Sequence, residues 1–194
     1  MVNCSVRDAT RHAPILVDMT RSAGPSGARL AVVVMGVSGC GKSTVAAGIA
    51  DRLGLHFIDG DGLHPEANVA RMRAGIPLED ADRWPWLDRI GACLADAERW
   101  PHGLAVACSA LRRIYRDRLR AAAPGVRFVF LDGAPEVIAG RMAQRSGHYM
   151  PPTLLASQLR TLERPGPDEH DVQRIAIDAP AAAVIEQSVL SLRS

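Results

Sequence analysis

The segment from Gly36 to Ser43, with the sequence GVSGCGKS, constrains the fold more than any other part of this chain. It fits the pattern G-x-x-x-x-G-K-[ST], in which glycines let successive backbone N–H groups point at an anion. The pattern has this meaning only between a buried strand and a helix. AVVVM at 31–35 is a short apolar run, and residues 43–53 have helical periodicity. The motif therefore predicts an α/β fold with a phosphate-binding loop after its first strand.

This loop offers several groups that suit a nucleoside triphosphate. Lys42 carries a mobile positive charge that can reach the β- and γ-phosphates, and the Ser43 hydroxyl can ligate Mg²⁺. The positive N-terminal end of the following helix also favours a bound anion. The motif alone does not distinguish a kinase from a motor, a switch or a transporter.

Length and composition narrow the class of protein. The chain has 194 residues, a size typical of one domain with a sizeable core. Its formal net charge is +2 and only 4% of its residues are aromatic, which argues against binding of nucleic acid. No apolar run is long enough for a transmembrane helix. The four scattered cysteines suggest reduced thiols and a cytoplasmic protein.

Short apolar runs alternate with helical segments along most of the chain. Residues 1–28 lack this pattern, and we expect a poorly ordered extension there, followed by one domain at 29–194. The alternation indicates a parallel sheet covered by helices on both faces. The predicted strands span 31–35, 55–61, 103–110, 126–133 and 173–179. The predicted helices span 43–53, 64–75, 82–100, 111–123, 135–145 and 180–192, with a mobile helical segment at 146–164.

Ligands of such sheets bind beyond the carboxyl ends of the strands, and two aspartates lie at one of these ends. Asp59 and Asp61 are at the end of the second predicted strand. One carboxylate could order Mg²⁺ through water, and the other could accept a proton from a substrate hydroxyl. The same Asp-Gly-Asp segment could also be a simple turn. The neighbouring phosphate-binding loop favours the functional interpretation.

Arginines follow the third predicted strand. Arg112 or Arg113 could hold a substrate carboxylate or phosphate with its fork of donors. Arg116, Arg118 and Arg120 continue along the same helix, and we expect them to form a solvated basic face. No aspartate stands at this strand end, which leaves open a nucleotide-binding module with little turnover. No N-K-x-D guanine signature is present, which argues against a GTP switch.

A second pair of arginines precedes a Ser-Gly joint. Arg141 and Arg145 are four residues apart and share a helix face. They could belong to a lid at about 141–165 that closes over ATP and neutralises charge on the transferred phosphoryl group. They could instead be solvated surface arginines. His64, at a predicted helix start, could bind a substrate or cap the helix.

Five segments together resemble the gluconokinase family of small P-loop kinases. They are GVSGCGKST at 36–44, FIDGDGLHPEANVARMRAGIPLEDADRWPWL at 57–87, CSALRRIYRDRLR at 108–120, FLDG at 130–133 and GHYMPPTLLASQLRTLERP at 147–165. The first is shared by many NTPases, whereas the second and the last are specific. The resemblance covers about residues 30–192.

The resemblance implies an activity and a fold. The activity is ATP-dependent phosphorylation of D-gluconate to 6-phosphogluconate, with Mg²⁺, by a cytoplasmic homodimer. The fold is a P-loop NTPase fold like that of nucleoside monophosphate kinases. It has three α/β/α layers, a five-stranded parallel sheet of order 2-3-1-4-5 and a helical lid.

The resemblance also implies roles for individual residues. Asp61 would be the base or hydroxyl-orienting group, and Ser43 and Asp59 would bind Mg²⁺. The residues implied to bind gluconate are Asp61, His64, Arg71 and Arg112. Lys42, Arg141 and Arg145 would stabilise the transferred phosphoryl group. The residues implied to bind ATP are Gly36, Val37, Ser38, Gly39, Cys40, Gly41, Lys42, Ser43 and Thr44.

Two residues depart from the common family pattern. Arg112 stands where lysine is usual, which keeps the charge but changes its geometry. Cys40 stands where serine or alanine is frequent, and it could make the loop sensitive to thiol oxidation. The main alternative functions are another small-molecule kinase, acting on shikimate or a nucleoside monophosphate, and a low-turnover nucleotide-binding regulatory module.

Overall fold

The computed structural model describes residues 29–143 and 152–193. The predicted N-terminal extension at 1–28 and the central part of the predicted lid, including Arg145, lie outside the described residues. Within them the strands are β1 (Leu30–Met35), β2 (His56–Asp59), β3 (Gly103–Ala107), β4 (Arg127–Asp132) and β5 (Val172–Ala176). The helices are α1 (Lys42–Leu53), α2 (Glu66–Arg73), α3 (Asp80–Ala95), α4 (Arg113–Ala122), α5 (Pro135–Ala143), α6 (Pro152–Thr161) and α7 (Ala181–Arg193).

The five strands form one parallel sheet with the order β2-β3-β1-β4-β5. This is the order that the resemblance implied. β1 is the central strand, so Val32 pairs with Ala105 of β3 on one side and with Arg127 of β4 on the other. A central strand of a parallel sheet is buried on both faces, which explains why β1 is a continuous apolar run.

Helices cover both faces of this sheet. Val32 and Val34 belong to the core under α1 and α7. Val33 and Met35 belong to the opposite core, under α3 and α4. All four side chains are at most 1% exposed. The predicted three-layer arrangement is therefore confirmed, and it places the loop after β1 at the carboxyl edge of the sheet. In the described part of the chain, no helix is long and apolar enough to cross a membrane.

The predicted strands were too long at their carboxyl ends. β2 stops at Asp59 rather than Asp61, because the Asp59 carboxylate accepts the Asp61 N–H at 3.1 Å and begins a 3-10 turn over Gly60–Leu63. β3 stops at Ala107, and Ala110 beyond it adopts a left-handed conformation with a φ of 40°. Local turns at the edge that carries the site thus replace the last residues of both predicted strands.

The helix predicted at 82–100 also has different bounds. It begins at Asp80, because Glu79 and Asp82 form a capping box in which the Glu79 N–H donates to Asp82 Oδ2 at 2.8 Å. It ends at Ala95 and is followed by a 3-10 turn at Ala97–Arg99. The start of α3 therefore lies two residues earlier than its apolar periodicity indicated.

The prediction of a solvated basic face on α4 is wrong for Arg116. Its side chain is 1% exposed, and its Nε and Nη2 each lie 2.7 Å from a carboxylate oxygen of Glu169. Arg120 is paired with Asp171 and with Glu169, whereas Arg118 is exposed as expected. The partner of Arg116 lies 53 residues further along the chain, so no local pattern reveals it. These pairs attach the segment before β5 to α4.

Candidate active site

The phosphate-binding loop connects β1 to α1. Gly36, Gly39 and Gly41 have φ angles of 141°, 85° and 101°, which side chains other than glycine rarely tolerate. At Gly36 a Cβ atom would lie 2.9 Å from Cys40 Sγ and 3.0 Å from the Leu131 carbonyl oxygen. The loop thus has both the backbone conformation and the close packing that make its glycines necessary.

Lys42 and Ser43 open α1 directly behind this loop. The N-cap residue Gly41 provides no side-chain cap, and the first turn of the helix has no acidic residue. The positive end of α1 is therefore not neutralised by its own side chains. Lys42 Nζ donates to the Val37 carbonyl oxygen at 3.2 Å, which folds the ammonium group back over the loop. Ser43 and Thr44 are exposed and accessible to a ligand.

Asp59 ends β2, and Asp61, two residues later, lies near Lys42. Loss of solvation in the cleft raises the pKa of the Asp61 carboxyl, with the Lys42 charge lowering it and the Asp59 charge raising it. A carboxylate whose pKa is raised is a better proton acceptor, provided that it is ionised at the working pH. Asp61 thus lies close enough to Lys42 and to Asp59 to interact electrostatically with each of them.

His64 lies beside these aspartates as a neutral ring. It stacks on Trp86 with 4.2 Å between ring centroids and 11° between ring planes. Burial, followed by the charge of Arg83, lowers its pKa from 6.5 to about 4. Asn68 Nδ2 donates to the Asp82 carbonyl oxygen and lies 3.4 Å from His64 Nδ1. This contact makes Nδ1 the acceptor, so that Nε2 carries the proton and can donate to a substrate oxygen.

Arg71 has unused hydrogen-bonding capacity. Its Nη2 lies 3.6 Å from Asp82 Oδ2 and 3.4 Å from the Pro77 carbonyl oxygen. Its Nε atom is buried and has no hydrogen-bond partner. An unpaired buried donor is costly, but protein atoms cover this one, so a ligand would reach the guanidinium through its Nη groups, on a side chain that is 40% exposed.

Arg112, by contrast, is already paired. Its Nε donates to Glu163 Oε1 at 3.1 Å and its Nη1 donates to Asp80, which also accepts from the Tyr115 hydroxyl. Two carboxylates thus balance this guanidinium before any substrate binds. Their distances in sequence, 32 and 51 residues, explain why the pattern around Arg112 did not reveal them. Its contact with gluconate stays a prediction.

Arg141 lies on the other side of the phosphate-binding loop. It donates to the carbonyl oxygens of Cys40 at 3.5 Å, Ala179 at 3.1 Å and Ile177. It also borders a cavity of about 260 Å³ between the loop, α1 and α7. The lining residues are Gly39, Cys40, Gly41, Thr44, Val45, Arg141, Ala181 and Val184. Arg145, which was predicted together with Arg141 to neutralise charge on the transferred phosphoryl group, lies outside the described residues.

A residue for which the sequence analysis predicted no role also touches the loop. Gln158 of α6 accepts the Ser38 N–H through Oε1 at 2.6 Å, and its Nε2 donates to Ser38 Oγ at 3.2 Å. The two residues are 120 positions apart. The one sequence signal that could have indicated Gln158 is its place in the family-specific segment at 147–165.

A preformed metal cage is absent from the described ranges, where no three His, Cys, Asp or Glu side chains are grouped to hold an ion. Mg²⁺ does not need one, because it keeps several waters and commonly binds through one or two protein groups plus substrate phosphates. The exposed Ser43 hydroxyl and the Asp59 carboxylate fit that mode. Their role in binding Mg²⁺ stays a prediction.

Comparison with known proteins decides the family. The family described as AAA domain matches residues 32–165. The thermosensitive gluconokinase of Escherichia coli K12 is 45% identical over 164 residues, which cover 83% of this chain and 88% of that protein. The gluconokinase of Gluconobacter oxydans 621H is 48% identical, with coverage of 81% and 88%. The chain belongs to the gluconokinase family.

Solved structures agree with the gluconokinase assignment. The crystal structure of a gluconokinase from Sinorhizobium meliloti 1021 has a TM-score of 0.78 and 47% identity, covering 84% of this chain and 91% of that one. Shikimate kinase from Aquifex aeolicus has a TM-score of 0.53 at 17% identity, covering 84% and 96%. The second likeness concerns the fold alone. The resemblance to gluconokinases and the P-loop kinase fold are therefore both confirmed.

Proposed function

We propose that this protein transfers the γ-phosphoryl group of ATP to D-gluconate, giving 6-phospho-D-gluconate, with Mg²⁺ as cofactor. The observation that carries the proposal is a glycine-formed loop with Lys42 next to Asp61, in a chain 45–48% identical to two gluconokinases. The loop suits the phosphate donor and the carboxylate suits a hydroxyl acceptor. Together they form the two halves of a kinase site.

On the donor side, the loop and α1 bind the phosphates. Backbone N–H groups from Gly36 to Thr44 and the unneutralised end of α1 would surround the anion. Lys42 would exchange the Val37 carbonyl for the β- and γ-phosphates. Mg²⁺, when bound, would neutralise charge on these phosphates, and Ser43 and Asp59 would hold it. We assign the cavity beside Arg141 to the nucleoside part of ATP, because it adjoins the loop and the start of α7.

On the acceptor side, Asp61 orients the attacking hydroxyl and takes its proton. Phosphoryl transfer has a loose transition state, so correct placement of the hydroxyl matters more than the strength of the base. His64 can donate from Nε2 to another hydroxyl of the sugar acid. Arg71 is the better partner for the gluconate carboxylate, because its side chain is 40% exposed and its ion pair with Asp82 is long, at 3.6 Å.

A lid within 141–165 would complete the site by excluding water, which limits hydrolysis of ATP, while α6 stays packed on the core. Arg145 within it would neutralise charge on the transferred phosphoryl group. We further infer a cytoplasmic homodimer that binds neither nucleic acid nor membranes, as the resemblance implies. Light scattering coupled to gel filtration tests the dimer directly.

An acceptor panel tests the proposed reaction. ADP release is measured with ATP and Mg²⁺ in the presence of gluconate, shikimate or AMP, and ³¹P NMR identifies the product. Stimulation by gluconate with a new phosphomonoester signal is expected. Stimulation by another acceptor but not by gluconate would show that gluconate is not the substrate. No stimulation by any acceptor, with ATP still bound, would favour a regulatory module.

Two variants test the residue roles. Lys42→Ala should abolish the activity through loss of phosphate contacts. Asp61→Asn should lower kcat at least about 100-fold, the usual contribution of a positioned acid or base, while the Kd for ATP stays within twofold. Asp51→Asn, at an exposed position on α1, is the matched control. Near-normal kcat in the Asp61 variant would remove this residue from the mechanism.

A further inference from the structure

The phosphate-binding loop is held from outside its own motif. Both polar atoms of the Gln158 amide contact Ser38, with Oε1 accepting the backbone N–H at 2.6 Å and Nε2 donating to Oγ at 3.2 Å. Ser38 lies between Val37, whose carbonyl binds Lys42, and Gly39, whose φ is positive. The amide therefore fixes the loop at the point where its backbone changes direction.

Attachment of α6 to the protein does not depend on this amide. Leu155 is buried in the core under α1 and α7, and Leu159 and Leu162 pack against that core. Beyond the helix, the Glu163 N–H donates to the Leu111 carbonyl oxygen at 2.8 Å. These contacts already fix the position of α6. The two hydrogen bonds of Gln158 therefore mainly restrain the glycine-containing loop.

We propose that Gln158 is a positioning residue for the ATP phosphates. It restrains the loop in its anion-binding conformation before the nucleotide arrives. Glycines give a loop many accessible conformations, and a site that is ordered in advance binds more tightly because less entropy is lost on binding. Gln158 acts through Ser38 and does not itself touch the phosphates. The inference rests on the proposed function only in taking ATP as the ligand of the loop.

The connection beyond α6 extends this restraint toward the acceptor side. Glu163 Oε2 accepts the Arg113 N–H at 2.7 Å and Oε1 accepts from Arg112 Nε at 3.1 Å. Gln158, which contacts the phosphate-binding loop, and Glu163, which contacts the candidate gluconate residue Arg112, are thus only five positions apart. The end of α6 therefore sets the loop and the start of α4 in one fixed relation.

The variant Gln158→Met tests the proposal, because it keeps side-chain length and helix propensity and removes both hydrogen bonds. Titration with a fluorescent ATP analogue, without acceptor, should show a Kd raised about five- to tenfold, the effect of about 1 kcal/mol in lost hydrogen bonding. Inorganic tripolyphosphate should lose affinity by the same factor, since the loop alone holds it. Gln187→Met, at an exposed position on α7, should leave both Kd values unchanged.

A double variant separates positioning from a general structural effect. Ser38→Ala keeps the backbone N–H and should weaken binding less than Gln158→Met. Combining the two should add nothing to the Gln158→Met effect, because both act through one contact. A Gln158→Met protein with a lowered Tm but wild-type Kd for ATP and tripolyphosphate would overturn the inference. These binding measurements need no acceptor, so a failure of gluconate phosphorylation would be recognised separately.

Discussion

Acidification should destabilise the protein through His64. In the folded state its imidazole stacks on Trp86, and burial lowers its pKa from 6.5 to about 4. In the unfolded state the ring is solvated and titrates near 6.5. Between these two pH values the unfolded chain therefore binds a proton that the folded protein does not accept.

The sign and size of the effect follow from this difference. Stability rises with pH wherever the unfolded state binds more protons. The contribution of His64 to the free energy of unfolding is therefore complete above pH 6.5 and is lost as the pH falls through about 4. One pKa unit corresponds to ~1.4 kcal/mol, and solvent that reaches part of the ring screens the effect, so the expected full loss is about 2 kcal/mol, of which about 1 kcal/mol is lost by about pH 5.

Urea unfolding at pH 7.5 and pH 5.0 measures this loss, in wild type and in His64→Gln. The variant should lose about 1 kcal/mol less than wild type on acidification, whatever its stability at pH 7.5. His102→Gln, at an exposed position, should behave like wild type. NMR titration of the His64 Hε1 signal gives the pKa directly. Equal acid losses in wild type and His64→Gln, or an NMR pKa near 6.5, would refute the reasoning.

Three further predictions concern packing. Gly36→Ala would place a Cβ atom 2.9 Å from Cys40 Sγ at a φ of 141°. The resulting strain of about 1–3 kcal/mol should raise the Kd for ATP, measured by calorimetry, at least about tenfold. In the control variant Gly62→Ala the methyl group has room, so its Kd for ATP should match wild type. Arg116→Met breaks the buried ion pair with Glu169, which keeps Arg120 as its remaining ion-pair partner, so urea unfolding should show a loss of about 3 kcal/mol, the low end for a broken buried pair, with partial recovery in the double variant that adds Glu169→Leu. The Cys40 thiol is 1% exposed and burial raises its pKa, so it should react with a thiol reagent only after unfolding, and fast labelling of the native protein would contradict this.

The fold was predictable because its signals are local. One segment, from Leu30 to Leu53, contains the apolar run of β1, the glycines after it and the helical periodicity of α1. In a parallel sheet the buried strands are apolar along their whole length, so they are recognisable without knowledge of their partners. The strand order came from the resemblance to gluconokinases, since periodicity does not encode which strands are neighbours.

The site was predictable only where one short segment contains the whole chemistry. The loop with Lys42 and Ser43 is such a segment. The ion pairs of Arg112 and Arg116 are not contained in one short segment, because Glu163 and Glu169 lie 51 and 53 positions away from them. The contact between Gln158 and Ser38 was not predicted for the same reason, since the two residues are 120 positions apart. The expected oxidation sensitivity of Cys40 also neglected burial, which raises the pKa of its thiol.

The charge balance of the acceptor side follows from these distant pairs. Arg112 stands between Asp80 and Glu163, so a substrate carboxylate placed on it would become a third negative group around one guanidinium. At Arg71 the ion pair with Asp82 is longer, at 3.6 Å, and the buried Nε lacks an acceptor. A carboxylate there would pair with a guanidinium that faces one distant carboxylate rather than two close ones. In the proposed reaction, Arg112 would therefore hold α3, α4 and the end of α6 together, and Arg71 would supply the charge that recognises the sugar acid.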